Sequence, residues 1–202
     1  RSFSDSTFLS FTQSAELSYQ GVGLSVGLTH QLTPGVQLAV MARSDSKATV
    51  DRDSTKAYTV DLPYSFAAGA RVRAGSKLTL AVAGNYRTWS GANSDLLAQG
   101  AVGSQNTLDV SLGGEMVRST RRPGVLPIRL GVRYADLPFP VVAGQHPYEF
   151  AVSAGTGTRF AADRAGVDLS IEHTWRSEGS PYKERALTVA LGLSIRPYGG
   201  AK

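Results

Sequence analysis

The strongest constraint on the fold is a strict two-residue alternation, seen most clearly over Leu126–Ala135. Leu126, Ile128, Leu130, Val132 and Tyr134 alternate with Pro127, Arg129, Gly131, Arg133 and Ala135. Successive side chains of a β-strand point to opposite faces, so this segment has one apolar face and one face carrying two arginines. One such strand decides little, because a soluble antiparallel sheet also has an apolar and a polar side. Here the pattern recurs in nearly every segment, with no helix or second apolar layer to cover those faces. That combination predicts an all-β, antiparallel transmembrane β-barrel, apolar toward lipid and polar toward the lumen.

The alternation predicts about ten strands. They fall near Thr7–Tyr19, Val22–Leu32, Val36–Val50, Lys56–Ala74, Leu78–Trp89, Thr107–Arg118, Leu126–Ala135, Glu149–Phe160, Ala165–Arg176 and Leu187–Pro197. Short turns are expected at Thr33–Gly35, Ala74–Lys77 and Ala161–Arg164, with Ser119–Val125 slightly longer. Longer connections are expected at Asp51–Thr55, Ser90–Asn106, Phe139–Tyr148 and Ser177–Arg185. Short turns on one rim and long loops on the other are the habit of outer-membrane barrels. Gln20–Gly21 is short where a long connection is due. Trp89, Trp175, Tyr19, Tyr86 and Tyr134 fall near strand ends leading into the long connections, which predicts an aromatic girdle at the lipid interface. A soluble sandwich or lipocalin-like barrel would share the alternation. Two features favour lipid outside: a polar face rich in Gly, Ala and Ser mixed with charges of both signs, and more apolar side chains than one small barrel interior can hold.

Composition narrows the field further. Of the 202 residues, 18% are charged, fewer than in ordinary soluble domains, and no apolar run is long enough for a transmembrane helix. A membrane reading must therefore come from strands. The absence of cysteine removes disulfides, thiolate nucleophiles and cysteine metal sites. The net charge of +5 is dispersed along strands and turns rather than clustered, which argues against nucleic acid as a partner. Arg1–Asp5 has no apolar core region, so either a leader was removed or the chain starts partway through a larger protein.

Charge on the polar face is the main candidate for chemistry. Arg71, Arg73, Arg87, Arg129, Arg133, Arg159 and Arg176 share that parity with Asp109, Glu115, Glu149, Asp168 and Glu172. They are the expected lumen-lining residues and ligand path. Buried charges are costly unless paired, so they should pair across neighbouring strands, Arg129 and Arg133 chiefly with Asp109 and with Glu115 or Glu149. Such pairs either fill the lumen structurally or offer arginines to the carboxylate of an amphipathic acid. Other motifs are weaker. Gly23–Gly27 matches the G-x-S-x-G nucleophile elbow by letter, but lies inside an alternating strand rather than at a strand-to-helix turn. His30, His146 and His173 sit on different elements without metal-ligand spacing. Asp45 and Asp51–Asp53 lack the glycine and terminal glutamate of a calcium loop. Neither an enzyme nor a cofactor is expected.

Several segments carry a resemblance. Leu62-Pro63 with Phe66 and Gly69, then Lys77–Leu80, then Asn85-Tyr86-Arg87-Thr88-Trp89-Ser90 resemble the outer-membrane long-chain fatty-acid and aromatic-hydrocarbon transporter family, the FadL and TodX type. Leu126–Tyr134 resembles a later strand of that family, and Glu149–Gly157 with Gly166–Arg176 resembles its penultimate hairpin. The resemblance implies a barrel in the bacterial outer membrane that takes up hydrophobic small molecules passively. It also allows a structural barrel that serves as scaffold for a protein partner, since the family includes both. Family members have more strands than ten and an N-terminal hatch in the lumen. Residues 1–202 would then be one barrel domain corresponding to the C-terminal portion of such a barrel, without the hatch.

Overall fold

The structure, a computed structural model, describes residues 17–52, 55–122, 124–161, 164–177 and 183–195. It is built almost wholly from antiparallel strands: β1 (Leu17–Gln20), β2 (Gly23–Thr33), β3 (Val36–Asp45), β4 (Ala48–Arg52), β5 (Thr55–Val60), β6 (Ser65–Ala74), β7 (Leu78–Arg87), β8 (Thr107–Met116), β9 (Ile128–Asp136), β10 (Tyr148–Phe160), β11 (Ala165–Ser177) and β12 (Lys183–Ile195). No helix among the described residues is long and apolar enough to cross a membrane.

Nine strands form one sheet in the order β12-β11-β10-β9-β8-β7-β6-β3-β2. Its neighbours are sequential apart from β3 and β6, which flank an inserted β4–β5 hairpin. Over most of the sheet the register pairs like with like, with exceptions such as Val152 facing His173 and Trp175 facing Arg185. Leu112 faces Val132, Val152 faces the same Val132, and Leu169 faces Leu191, while Glu115 faces Arg129. A slip of one residue would put arginines among leucines, so the alternation itself enforces this register. Strands β2 and β12 are the two edges, and among the described residues they do not pair with each other.

A second sheet, β1-β4-β5, continues the first past the end that carries the long connections. The expected hairpin at Gln20–Gly21 is therefore a bend. β1 pairs with β4 just as β2 pairs with β3, so 17–33 is one interrupted strand. Val22 and Ser46 hold the bend through two hydrogen bonds, Ser46 N–H to the Val22 carbonyl at 2.7 Å and Val22 N–H to Ser46 Oγ at 3.0 Å. Lys47 bonds Asp61 at 3.1 Å across the same bend, and that hydrogen bond holds its ammonium above the ordinary lysine range. Of the expected first strand, Leu17–Tyr19 belong to β1, an extension of the second, and the rest of Thr7–Tyr19 lies outside the described residues. The described large sheet thus has nine strands rather than ten.

Further boundaries differ from the alternation: the expected strand Val36–Val50 is broken after Asp45 into β3 and β4, and the expected strand Lys56–Ala74 after Val60 into β5 and β6, because the β4–β5 hairpin is inserted between them. Leu126 has φ 48°, a left-handed conformation that takes it out of β9, and the fully buried Pro127 precedes the strand. The connection before β9 instead lines the edge of β10, with Leu126 N–H bonding the Gly157 carbonyl at 2.8 Å. β12 starts at Lys183, inside the expected long connection, because Lys183 and Glu184 still pair with Ser177 and Arg176. Arg196 and Pro197, expected to finish that strand, lie outside the described residues. Finally, the polar connection after β7 contains a 3₁₀ turn at Trp89–Ala92 and a short helix, α1 (Asn93–Ala98).

Among the described residues no layer covers either face of the sheet. The buried apolar residues among those described are few: Val50, Ala92, Ala135 and Ala151, with Pro63, Pro127 and Pro147. Alternation instead appears in exposure, and in the reverse of the soluble sense. Along β9 the apolar Ile128, Leu130, Val132 and Tyr134 are exposed, whereas Arg129, Gly131 and Arg133 between them are half-buried. Along β8, Leu108, Val110, Leu112 and Met116 are exposed around half-buried Asp109, Ser111 and Glu115.

Candidate functional site: the polar face

The polar face carries two sets of linked ion pairs across β8 to β12. Arg129, on β9, donates from Nε to Glu115 Oε2 on β8 at 2.7 Å and from Nη1 to Asp168 Oδ1 on β11 at 2.7 Å. Arg159, on β10, reaches the other oxygen of Asp168 at 2.8 Å. Toward the long-connection end, Arg133 bonds Glu149 and lies 3.6 Å from Asp109. Arg176 bonds Glu149 at 2.6 Å and Glu184 at 2.9 Å. Glu149 is 7% exposed and takes guanidinium groups on both oxygens, so its charge is satisfied where water reaches it least.

Glycine makes room for this network. A Cβ on Gly157 would collide with the Asp168 carboxylate and approach the Val167 carbonyl to 2.9 Å. Bare backbone there lets Asp168 sit between Arg129 and Arg159.

The predicted polar set thus divides in two. Asp109, Glu115, Arg129, Arg133, Glu149, Arg159, Asp168 and Arg176 join the network. Glu172 makes no ion pair among the described residues and accepts a 3.4 Å bond from Thr174 Oγ1. Arg71, Arg73 and Arg87 also have no acidic partner among the described residues. Their cross-strand neighbours are neutral: Gln37 and Ala81 beside Arg71, Thr79 beside Arg73, Ser65 and Thr107 beside Arg87. Glu184 is the network member missed by sequence reasoning, because it precedes the apolar alternation of β12 and reads as loop.

Between the unpaired arginines the polar face is floored by small residues. A concavity of about 500 Å³ spans five strands there, lined by Gly27, Thr29, Ala39, Ala67 and Gly69 among others. Asn85 Oδ1 at its margin is buried and makes no hydrogen bond. Ser25 of the G-x-S-x-G match lies mid-strand opposite Arg43, far from any strand-to-helix turn. Asp45 is engaged by Arg43 at 2.7 Å, and Asp53 lies outside the described residues.

Aromatic side chains line the opposite, apolar face near the long-connection end. Phe66 faces Tyr86 across β6 and β7, and Tyr134, Phe150 and Trp175 face one another in sequence across β9, β10 and β11. Tyr148 stacks on Tyr134 at 5.9 Å, and Phe150 on Trp175 at 5.7 Å. Trp89 departs from this band. It belongs to the 3₁₀ turn and packs edge-on against Phe139 of the next long connection at 5.0 Å. These two connections are also tied by Gln105, whose N–H bonds the Pro138 carbonyl and whose Nε2 bonds the Leu137 carbonyl, both at 3.0 Å.

No protein-family model matches this chain, and no curated protein matches it.

Proposed function

We propose that this chain forms part of the wall of a β-barrel in a bacterial outer membrane, and that the barrel passes hydrophobic small molecules such as long-chain fatty acids by passive uptake. The observation that carries the membrane part is the reversed exposure on β8 and β9: Leu112 and Leu130 are 53% and 62% exposed while Arg129 and Arg133 of the other face are half-buried. Water makes that arrangement unfavourable and hydrocarbon makes it favourable. An aromatic band at one end of the apolar face is what a lipid interface favours. Open edges on β2 and β12 are not tolerated in lipid, so both edges require strand partners in the membrane. The uptake part rests on the resemblance to the FadL and TodX type and on a polar face that holds both neutralised and unneutralised arginines.

A second reading, a barrel that serves as scaffold for a protein partner, is favoured by one observation. Exposed apolar residues also occur beyond the sheet, in the long connections, where Leu97 and Phe139 are 52% and 49% exposed. Expression in a bacterium deprived of its own long-chain fatty-acid uptake protein separates the two. Uptake of labelled oleate supports transport. Correct membrane insertion without oleate uptake refutes transport and leaves the scaffold.

A further inference from the structure

Arg71 and Arg73 differ from the other arginines of the polar face in a way that assigns them a job. Side chains two apart on a strand share a face and lie about 7 Å apart along it. Arg129, Arg133, Arg159 and Arg176 each meet a carboxylate, whereas Arg71 and Arg73 meet none among the described residues. Arg71 is flanked by β3 and β7, and Arg73 by Gly35 of the turn and by β7, so their cross-strand neighbours are Gln37, Ala81, Gly35 and Thr79. The nearest acid in register, Glu115, is opposite Thr79 and already bonded by Arg129 at 2.7 Å.

The two arginines also border a cleft. It measures about 90 Å³ and is lined by Gln31, Pro34, Gly35, Gln37, Arg71 and Arg73. Its walls are braced locally: Gln31 Nε2 bonds the Thr33 carbonyl at 2.6 Å, Gly35 N–H bonds Thr33 Oγ1 at 3.3 Å, and Arg73 N–H bonds the Gly35 carbonyl at 2.7 Å. A water takes roughly 30 Å³, so the cleft holds about three waters or one oxyanion group. Guanidinium groups present paired donors that match a carboxylate or a phosphate.

We infer that this cleft, at the short-turn end of the polar face, is a binding site for a small oxyanion, a carboxylate or phosphate group, held by Arg71 and Arg73. The occupant is a solute reaching the polar face. A lipid headgroup is excluded where the barrel reading holds, since lipid then contacts only the opposite face. The inference rests on that reading for how the solute arrives, but the cleft itself stands on the geometry of β2, β3 and β6.

The test follows the Nε–Hε resonances of the arginines in ¹⁵N-labelled protein in an uncharged detergent. Potassium phosphate and potassium acetate are added separately at constant ionic strength, and R71Q and R73Q assign the two signals. The expected result is saturable movement of the Arg71 and Arg73 signals with at least one anion, while those of Arg129, Arg133 and Arg176 stay still. R71Q should weaken the binding read at Arg73 by about tenfold or more, since charge-assisted donors are lost. Response to phosphate alone assigns the site to phosphate groups, and response to acetate assigns it to carboxylates. Still signals at both arginines, equal movement of every arginine, or a titration at Arg73 unaffected by R71Q overturns the site. None of those results touches the barrel, which stands or falls on its orientation in lipid.

Discussion

Replacing Leu130 with arginine separates a lipid-facing from a water-facing apolar surface. Leu130 is 62% exposed and stands opposite Gly114 on one side and Ala154 on the other, so the new side chain meets no steric obstacle from a large neighbour. Its depth follows from the register. Tyr134, in the aromatic band, lies four residues further along β9, about 13 Å along the strand and about 10 Å in depth after a typical barrel tilt. An apolar band about 25 Å tall then puts Leu130 near its middle. The arginine should cost ~2–4 kcal/mol there, falling to ~0–1 kcal/mol for Tyr134→Arg at the interface. In water, the same exposed substitution would stay within about 0.5 kcal/mol. Equilibrium unfolding by guanidinium in lipid vesicles, followed by the fluorescence of Trp89 and Trp175, measures both. A Leu130→Arg variant as stable as the parent protein refutes the lipid-facing assignment.

Other substitutions probe the polar face and the rims. Glu149→Gln removes the charge shared by Arg133 and Arg176 and should destabilise the protein by about 1–3 kcal/mol in the same unfolding assay, because the buried Glu149 is the shared counter-charge of the half-buried Arg133 and the more exposed Arg176. Gly157→Val should displace the Asp168 carboxylate and lower stability by more than Gly91→Val, since Gly91 is exposed in the 3₁₀ turn of a long connection with open space around its Cβ position; equal losses would contradict the packing role given to Gly157. Protease added to intact cells should cut the exposed connection at Pro140–Gln145 and spare the turn at Gly75–Lys77, which shows which rim faces outward; cleavage only at the short turn reverses the orientation.

Periodicity revealed most of the large sheet because a two-residue repeat is all a strand needs to sort its faces. The limits of β8, β10 and β11 fall within two residues of where the alternation stops. Where the pattern misled, a local force competed with it. Leu126 continues the parity of β9 by letter, yet its backbone turns left-handed to reach the edge of β10. Gln20–Gly21 reads as a turn, but hydrogen bonds between Val22 and Ser46 carry the chain straight on. The helix at Asn93–Ala98 is short and carries no repeat long enough to register. Ion pairing was legible for Arg129 and Arg133, since sequential neighbours in an antiparallel sheet bring their acids alongside. The link from Arg129 to Asp168 was not, because it spans two strands and depends on the bare backbone at Gly157. The separateness of Arg71 and Arg73 required the register, which shows what stands beside them.

Contact of the apolar parity with lipid can be read residue by residue. A chain without cysteine permits a direct reading of it. Single cysteines placed in turn along Ile128–Asp136, spin-labelled in proteoliposomes, report collision with oxygen dissolved in the bilayer and with a water-soluble nickel chelate. The account predicts a two-residue oscillation, with oxygen strongest at 128, 130 and 132 and the chelate strongest at 129, 131 and 133. Chelate access at the apolar positions equal to or greater than at the arginine positions would contradict it.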